Sequence, residues 1–130
     1  MLSVGNIHLY VRDFERAMRF WRDACHLRVA DQSETQGTAY AQLDFPDGGA
    51  SIQLVTVDEE EAPNPYEGPQ LNAAFDLLTS EFDDLLVRLL GFGGQQLGEI
   101  ETYENLRIVT LGDPDGNVFD LIEVPPTESS

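Results

Sequence analysis

The chain has 130 residues, the length of a single domain, and its hydrophobic content of 42% is ordinary for a packed globular core. Seven arginines, no lysine and 24 acidic residues give it a formal net charge of −17. A surface with this charge repels nucleic acid and anionic membranes, which excludes both as partners.

The sequence contains no apolar run long enough for a transmembrane helix, and its first 15 residues lack the basic-then-apolar pattern of a secretion signal. The single cysteine, Cys25, has no second cysteine with which to form an internal disulfide, which fits a reducing compartment. We therefore expect a cytoplasmic protein.

The first half of the chain predicts one helix among four strands. The helix begins after Asp13, a good N-cap residue, and apolar side chains follow it at helical spacing. This predicted buried stripe consists of Phe14, Ala17, Met18, Trp21 and Cys25. The predicted strands are residues 6–11, 27–32, 38–45 and 50–57.

The second half predicts the same order of elements. Its helix begins after Ser80, carries an apolar stripe and ends at Gly91. The stripe consists of Phe82, Leu85, Leu86 and Leu89. The predicted strands are residues 71–77, 95–101, 105–112 and 118–124.

An internal duplication therefore organises the chain. Residues 46–55 align with residues 114–122 after one inserted residue, and this alignment places Gln53 on Asp120. We predict one structural domain made of two βαβββ modules. The first module is residues 1–57, an acidic linker is residues 58–69, the second module is residues 70–124, and a disordered tail is residues 125–130.

The run IHLYVRDFERAMRFWRDACHLRVA, the doubled module and the closing DPDGNVFDLIEV resemble the vicinal oxygen chelate superfamily. That superfamily includes glyoxalase I, bleomycin-resistance proteins, extradiol dioxygenases and methylmalonyl-CoA epimerase. The resemblance implies an α+β fold whose paired βαβββ modules form curved mixed sheets around a cavity, usually in a homodimer. It also implies that metal ligands, where present, come from the first and last strands of each module: His8, Gln53, Asn72 and Asp120.

The residues around these four positions support their placement on one face. Each position lies between two apolar residues, as His8 does between Ile7 and Leu9. Because strand side chains alternate between faces, the apolar neighbours would lie beneath a helix and the four polar side chains would share the opposite, concave face. A lone histidine or glutamine could still be an ordinary sheet residue.

The four candidate ligands form a poor metal site. One imidazole, two neutral amides and one carboxylate would bind a divalent metal such as Ni, Mn, Mg or Zn weakly or not at all. The iron site of an extradiol dioxygenase cannot be assembled, because only His8 is an imidazole and His26 occupies a turn after the helix. His8 and Asp120 are the candidate bases for proton abstraction beside a carbonyl.

Several aromatic and basic residues could contact a small-molecule ligand. The candidates are Tyr10, Tyr40, Tyr103 and Arg107, with Tyr66 nearby in the linker. The net charge of −17 fits a cationic ligand, but it equally fits a solvated surface in a high-salt source.

Three functions remain open. The leading hypothesis is a glyoxalase/bleomycin-resistance-type small-molecule-binding protein of unassigned substrate, with a weak or degenerate metal site. The alternatives are a metal-dependent lyase or isomerase acting on a carbonyl substrate, and metal-free sequestration of a cationic drug.

Overall fold

Two sheets, each with a helix packed on one face, make up the computed structural model, which describes residues 2, 5–35, 38–56 and 74–125. Asn72, Tyr66, the predicted linker and the predicted tail beyond Pro125 lie outside the described residues. The chain divides into two compact units, Met1–Asn64 and Pro65–Ser130. No helix in the described ranges is long and apolar enough to cross a membrane.

The first unit holds a four-stranded sheet in the order β1-β4-β3-β2. Its elements are β1 (Asn6–Val11), α1 (Phe14–Met18), a π-helical continuation (Arg19–Ala24), β2 (Arg28–Thr35), β3 (Thr38–Asp44) and β4 (Ser51–Thr56). The first strand runs parallel to β4, and the other pairs are antiparallel. Alternate strand residues are buried under the helix, among them Leu9, Leu43 and Leu54.

The helix of the first unit begins as predicted and then changes its winding. The Asp13 carboxylate accepts a hydrogen bond from the Arg16 backbone N–H at 3.1 Å, which confirms the N-cap. From Arg19 the helix is π-helical, where the prediction was a regular α-helix through Cys25. The wider turn buries two consecutive aromatic residues, Phe20 and Trp21, whose ring centroids are 4.9 Å apart.

One irregularity in β2 reorients the strand. A bulge between Val29 and Asp31 shifts the pairing with β3 by one residue. Beyond the bulge, Asp31 is the register partner of Gln42. The strand also continues to Thr35, three residues farther than the predicted end at residue 32. Simple alternation would put Asp31 on the helix face with Val29, but the bulge puts Asp31 on the other face of the sheet.

The second unit repeats the plan with more fragmented strands. Its elements are β5 (Asp76–Thr79), α2 (Phe82–Gly91), β6 (Gln95–Gln96), β7 (Glu101–Tyr103), β8 (Leu106–Gly112) and β9 (Val118–Glu123). The strand order is β5-β9-β8-β6, with β7 also pairing with β8, and β5 runs parallel to β9. The buried face is apolar, and Phe75 stacks on Phe119 with ring centroids 5.6 Å apart.

Three predictions for the second unit need correction. Its first strand is Asp76–Thr79, later than the predicted 71–77, and the predicted strand 95–101 is two short strands. The N-cap of α2 is Glu81 rather than Ser80, and the Thr79 hydroxyl accepts the Glu81 N–H at 2.9 Å. The helix ends at Gly91, as predicted.

The turn before β9 is held by a buried carboxylate. One oxygen of Asp113 accepts the backbone N–H groups of Asp115 at 2.9 Å and Asn117 at 2.8 Å, and the other accepts the Asn117 side-chain amide at 2.9 Å. Asp113 is fully buried, and Gly116 has a φ of 88° that favours glycine. This turn sets where β9 begins and therefore where Asp120 lies in the sheet.

Candidate functional site

The first unit carries a row of polar side chains across the face of its sheet opposite the helix, which we call its open face. His8 is the register partner of Gln53, Gln53 of Gln42, and Gln42 of Asp31. We call these four residues the first polar row. The strand neighbours of Gln42 and Gln53 are buried beneath the helix, while Gln42 and Gln53 themselves are half-buried and His8 and Asp31 are exposed. The sequence pattern predicts His8 and Gln53 as site residues but gives no sign of Gln42 and Asp31.

Two tyrosines lie one step along the same face. Tyr10 and Tyr40 are both register partners of Val55, and Tyr10 is 59% exposed. The Tyr40 hydroxyl donates to Oδ2 of Asp31 at 2.9 Å, and this bond raises the pKa of the phenol. Two of the predicted ligand contacts therefore share a face with His8 and Gln53.

At the other end of this face an arginine is already engaged. Arg28 Nη2 lies 2.8 Å from Oδ2 of Asp44, and the Ser51 hydroxyl donates to the other oxygen of the same carboxylate. The Ser51 and Arg28 hydrogen bonds hold the pKa of Asp44 below its usual value. The cation is thus matched by a neighbouring carboxylate.

The second unit carries a shorter and more acidic row on its open face. Asp120 is the register partner of Asp76 on one side and of Thr110 on the other. The Thr110 hydroxyl donates to Oδ1 of Asp120 at 2.6 Å. We call these three residues the second polar row. One step along the strands the face becomes apolar, with Leu78, Ile122 and Ile108 in register.

The two rows correspond through the repeat. Asp76 stands opposite Asp120 as His8 stands opposite Gln53, each on the first strand of its unit and paired in parallel with the last. This equivalence favours Asp76 over Asn72 for the fourth position, and Asn72 lies outside the described residues. The sequence held a signal for it, because His8 and Asp76 each lie six residues before the first residue of the following helix.

Two of the predicted ligand contacts lie in the second unit. Tyr103 is the register partner of Leu106, near the apolar end of the open face, and is 68% exposed. Arg107 belongs to the opposite face, where its guanidinium stacks 4.7 Å from the Phe82 ring centroid on α2.

Arg107 is also paired with two carboxylates. Its Nη1 lies 2.8 Å from Asp83 Oδ1 and its Nη2 lies 2.8 Å from Glu123 Oε2. These hydrogen bonds, first to Glu123 and then to Asp83, raise the pKa of the guanidinium. Arg107 therefore shares no face with Asp120, and its carboxylate partners leave the predicted ligand contact of Arg107 without support from the geometry.

The donor sets of the two units suit a metal ion unequally. His8 and Gln53 offer an imidazole nitrogen and an amide oxygen, whereas Asp76 and Asp120 offer two carboxylates, the ligands that hard cations such as Mg²⁺ prefer. Within the described ranges, no group of three or more His, Cys, Asp or Glu side chains could hold a metal ion. The described residues of each unit thus supply at most a partial ligand set.

Comparison with known proteins extends the resemblance over the whole fold. The sequence matches the glyoxalase-like domain family over residues 6–122. The chain is similar to a solved glyoxalase family protein from Bacillus cereus, with 21% identity over 95% of this chain and 94% of that one and a TM-score of 0.72. No protein in a search of curated sequences matches.

Two further solved structures share the fold. One is TnmS3, an antibiotic binding protein from Streptomyces sp. CB03234, with 21% identity, a TM-score of 0.70 and coverage of 95% of this chain and 96% of that one. The other is TioX from Micromonospora sp. ML1, with 18% identity, a TM-score of 0.66 and coverage of 93% and 98%. The predicted α+β fold is confirmed, and the chain belongs to the glyoxalase-like domain family of the vicinal oxygen chelate superfamily.

Proposed function

We propose that this protein binds a small organic molecule on the open faces of its sheets without requiring a resident metal. The observation that carries the proposal is the make-up of the first open face, where the neutral amides of Gln53 and Gln42 lie in register beside exposed Tyr10. Amides offer both hydrogen-bond donors and acceptors, and tyrosine rings offer flat apolar surface. These are the groups with which ligand sites orient and hold planar molecules.

The relatives lend support at the level of class. TnmS3 is an antibiotic binding protein with the same fold, so this fold can serve binding. Fold alone does not assign a function, and the weight of the proposal rests on the side chains of this chain. His8, at the end of the first polar row, adds an imidazole that can donate or accept a hydrogen bond.

A second candidate function is a metal-dependent lyase or isomerase acting on a carbonyl substrate, and it is favoured by the Asp76–Asp120 register pair. Two adjacent carboxylates strengthen the ligand set beyond the single carboxylate that the sequence suggested. In this reading Asp76 and Asp120 would contribute two ligands to a divalent cation, which when bound would polarise a substrate carbonyl.

Metal titration separates the two candidates. The full chain, purified without chelator, is analysed for metal and then titrated with Mg²⁺, Mn²⁺, Ni²⁺ and Zn²⁺ while its thermal midpoint is followed. The binding proposal expects no bound metal and no shift of the midpoint, because a ligand that binds only the native state would raise it. A midpoint rise that is lost in both Asp76→Asn and Asp120→Asn would instead establish the metal-dependent candidate.

Ligand binding is tested with a planar probe. Naphthylmethanol, added at about 5 mM because fragments of this size bind weakly, is followed by two-dimensional amide NMR of the full chain. We expect shifts that cluster at the first polar row and the two tyrosines. Absence of any clustered shift would contradict the proposal.

Sedimentation of the same sample tests the homodimer that the superfamily resemblance implies.

A further inference from the structure

Asp31 and Tyr40 form a hydrogen-bonded pair at the edge of the first open face. Their proposed role deepens the binding function above and rests on it. The pair exists because of the bulge between Val29 and Asp31, which brings Asp31 into register with Gln42. Without that extra residue the carboxylate would lie on the opposite face of β2.

The pair has a fixed hydrogen-bond polarity. The phenol has one proton, and Tyr40 donates it to Oδ2 of Asp31 at 2.9 Å, so the phenolic oxygen has only acceptor sites left. Oδ1 of Asp31 accepts the backbone N–H of Gln32 at 2.9 Å, and a carboxylate has no proton of its own to donate. Every remaining site on the pair is therefore an acceptor.

The rest of the first open face does not share this polarity. The amides of Gln42 and Gln53 can each donate and accept, and so can the His8 imidazole. At the far end, the carboxylate of Asp44 already accepts hydrogen bonds on both oxygens, from the cation Arg28 and from the Ser51 hydroxyl. The Asp31–Tyr40 pair is thus the place where the face discriminates between donor and acceptor groups on a ligand.

We propose that the Asp31–Tyr40 pair is a specificity-determining element that selects ligands presenting a hydrogen-bond donor, above all a protonated amine, and disfavours carboxylates and phosphates. A donor meets two sets of free lone pairs, one from the phenol and one from the carboxylate. An anionic group meets the same lone pairs and the Asp31 charge, and its own acceptors find no proton there. Selection of this kind works mainly by penalising the wrong partner.

Three probes that share a naphthalene ring system test the inference: naphthylmethylamine, naphthylmethanol and naphthylacetic acid. Their affinities for the full chain are measured by amide NMR, and the quantity of interest is the ratio of amine to alcohol affinity. Asp31→Asn removes the negative charge and replaces one acceptor oxygen with an amide that donates. We expect this substitution to lower the amine-to-alcohol ratio about three- to tenfold, as for a partly solvated charged hydrogen bond.

Two other variants separate the pair from long-range attraction. The net charge of −17 favours any cation, and Asp47→Asn, in an exposed turn of the same unit, makes the same change in charge as Asp31→Asn. We expect Asp47→Asn to leave the ratio unchanged. Tyr40→Phe keeps the carboxylate and frees its Oδ2, so this variant should keep the preference for the amine. It also tests the inference if Asp31→Asn does not fold.

The results distinguish failure of the inference from failure of the binding function. If all three probes bind the first open face with equal affinity, or if Asp47→Asn lowers the ratio as much as Asp31→Asn, the polarity inference is overturned while the binding function stands. Loss of the amine preference in Tyr40→Phe alone would also overturn it. If no probe shifts any residue of the first polar row, the binding function itself fails.

Discussion

Replacing Asp113 with alanine should destabilise the second unit far more than a substitution in an exposed turn. The carboxylate is fully buried and accepts three hydrogen bonds, two from backbone N–H groups and one from the Asn117 side chain. Alanine leaves the N–H groups of Asp115 and Asn117 without that acceptor. The chain entering β9 then loses the contacts that hold its first residues in place.

The magnitude follows from the three bonds. A hydrogen bond to a charged group contributes about 1.5–3 kcal/mol net, so three give about 4.5 kcal/mol at the low end. Water can enter the space that the carboxylate leaves and recover part of this, so we expect a loss of about 2–4 kcal/mol in the free energy of unfolding.

Urea denaturation followed by far-UV circular dichroism measures the loss. Asp47→Ala is the matched control, because Asp47 occupies the corresponding Pro-Asp-Gly turn of the first unit and is exposed. We expect the control to unfold at the wild-type urea concentration. A loss below about 1 kcal/mol for Asp113→Ala, or an equal loss in the control, would refute the view that the buried carboxylate organises this turn.

Two further predictions concern stability. Leu54→Ala removes a fully buried side chain from the first unit and should cost about 2–5 kcal/mol of unfolding free energy in the same assay; a smaller cost would mean that the helix closes the cavity. Arg107→Met should lower the urea midpoint at pH values above about 5, since Arg107 holds the pKa values of Asp83 and Glu123 below their usual range. A carboxyl group whose pKa is lower in the folded than in the unfolded protein stabilises the fold above its unfolded pKa, and this stability is lost as the pH falls through its folded pKa. The urea midpoints of wild type and variant should therefore converge as the pH falls below about 4. A difference between the midpoints that stays constant with pH would refute this linkage.

Periodicity predicted the parts of the fold that depend on burial alone. The stripes containing Trp21 and Leu89 mark the faces that the helices bury, and alternation placed His8 and Gln53 on the side of the sheet away from the helix. The π-helical segment was not predictable, because the spacing of apolar residues does not indicate the wider turn in which Phe20 and Trp21 are both buried. Packing, rather than local preference, selects that geometry.

The register of the strands determines which face Asp31 and Arg107 occupy, and the sequence pattern does not reveal that register. The bulge in β2 moves Asp31 to the open face by one extra residue, and a strand pattern read by strict alternation contains no mark of it. Arg107 illustrates the same limit. Its side chain lies on the face of β8 opposite to Ile108 and Thr110, where it pairs with Asp83 of α2. A shift of one residue in register would have put Arg107 on the open face, near Asp120.

The choice between Asn72 and Asp76 shows which sequence feature best anchors an internal repeat. Composition aligns strands poorly, because LNAAFDL reads as a strand from either end and any offset of two residues preserves alternation. A helix start is better defined, because Phe14 and Phe82 both open their helices just after the N-cap residue. Counting back six residues from each gives His8 and Asp76, the two residues that face the last strand of their own sheet. Aligning the repeat on the helix start therefore assigns Asp76 to the second polar row, which then holds two carboxylates. Aligning it on strand composition alone assigns Asn72 instead, and the row would hold one carboxylate and one amide.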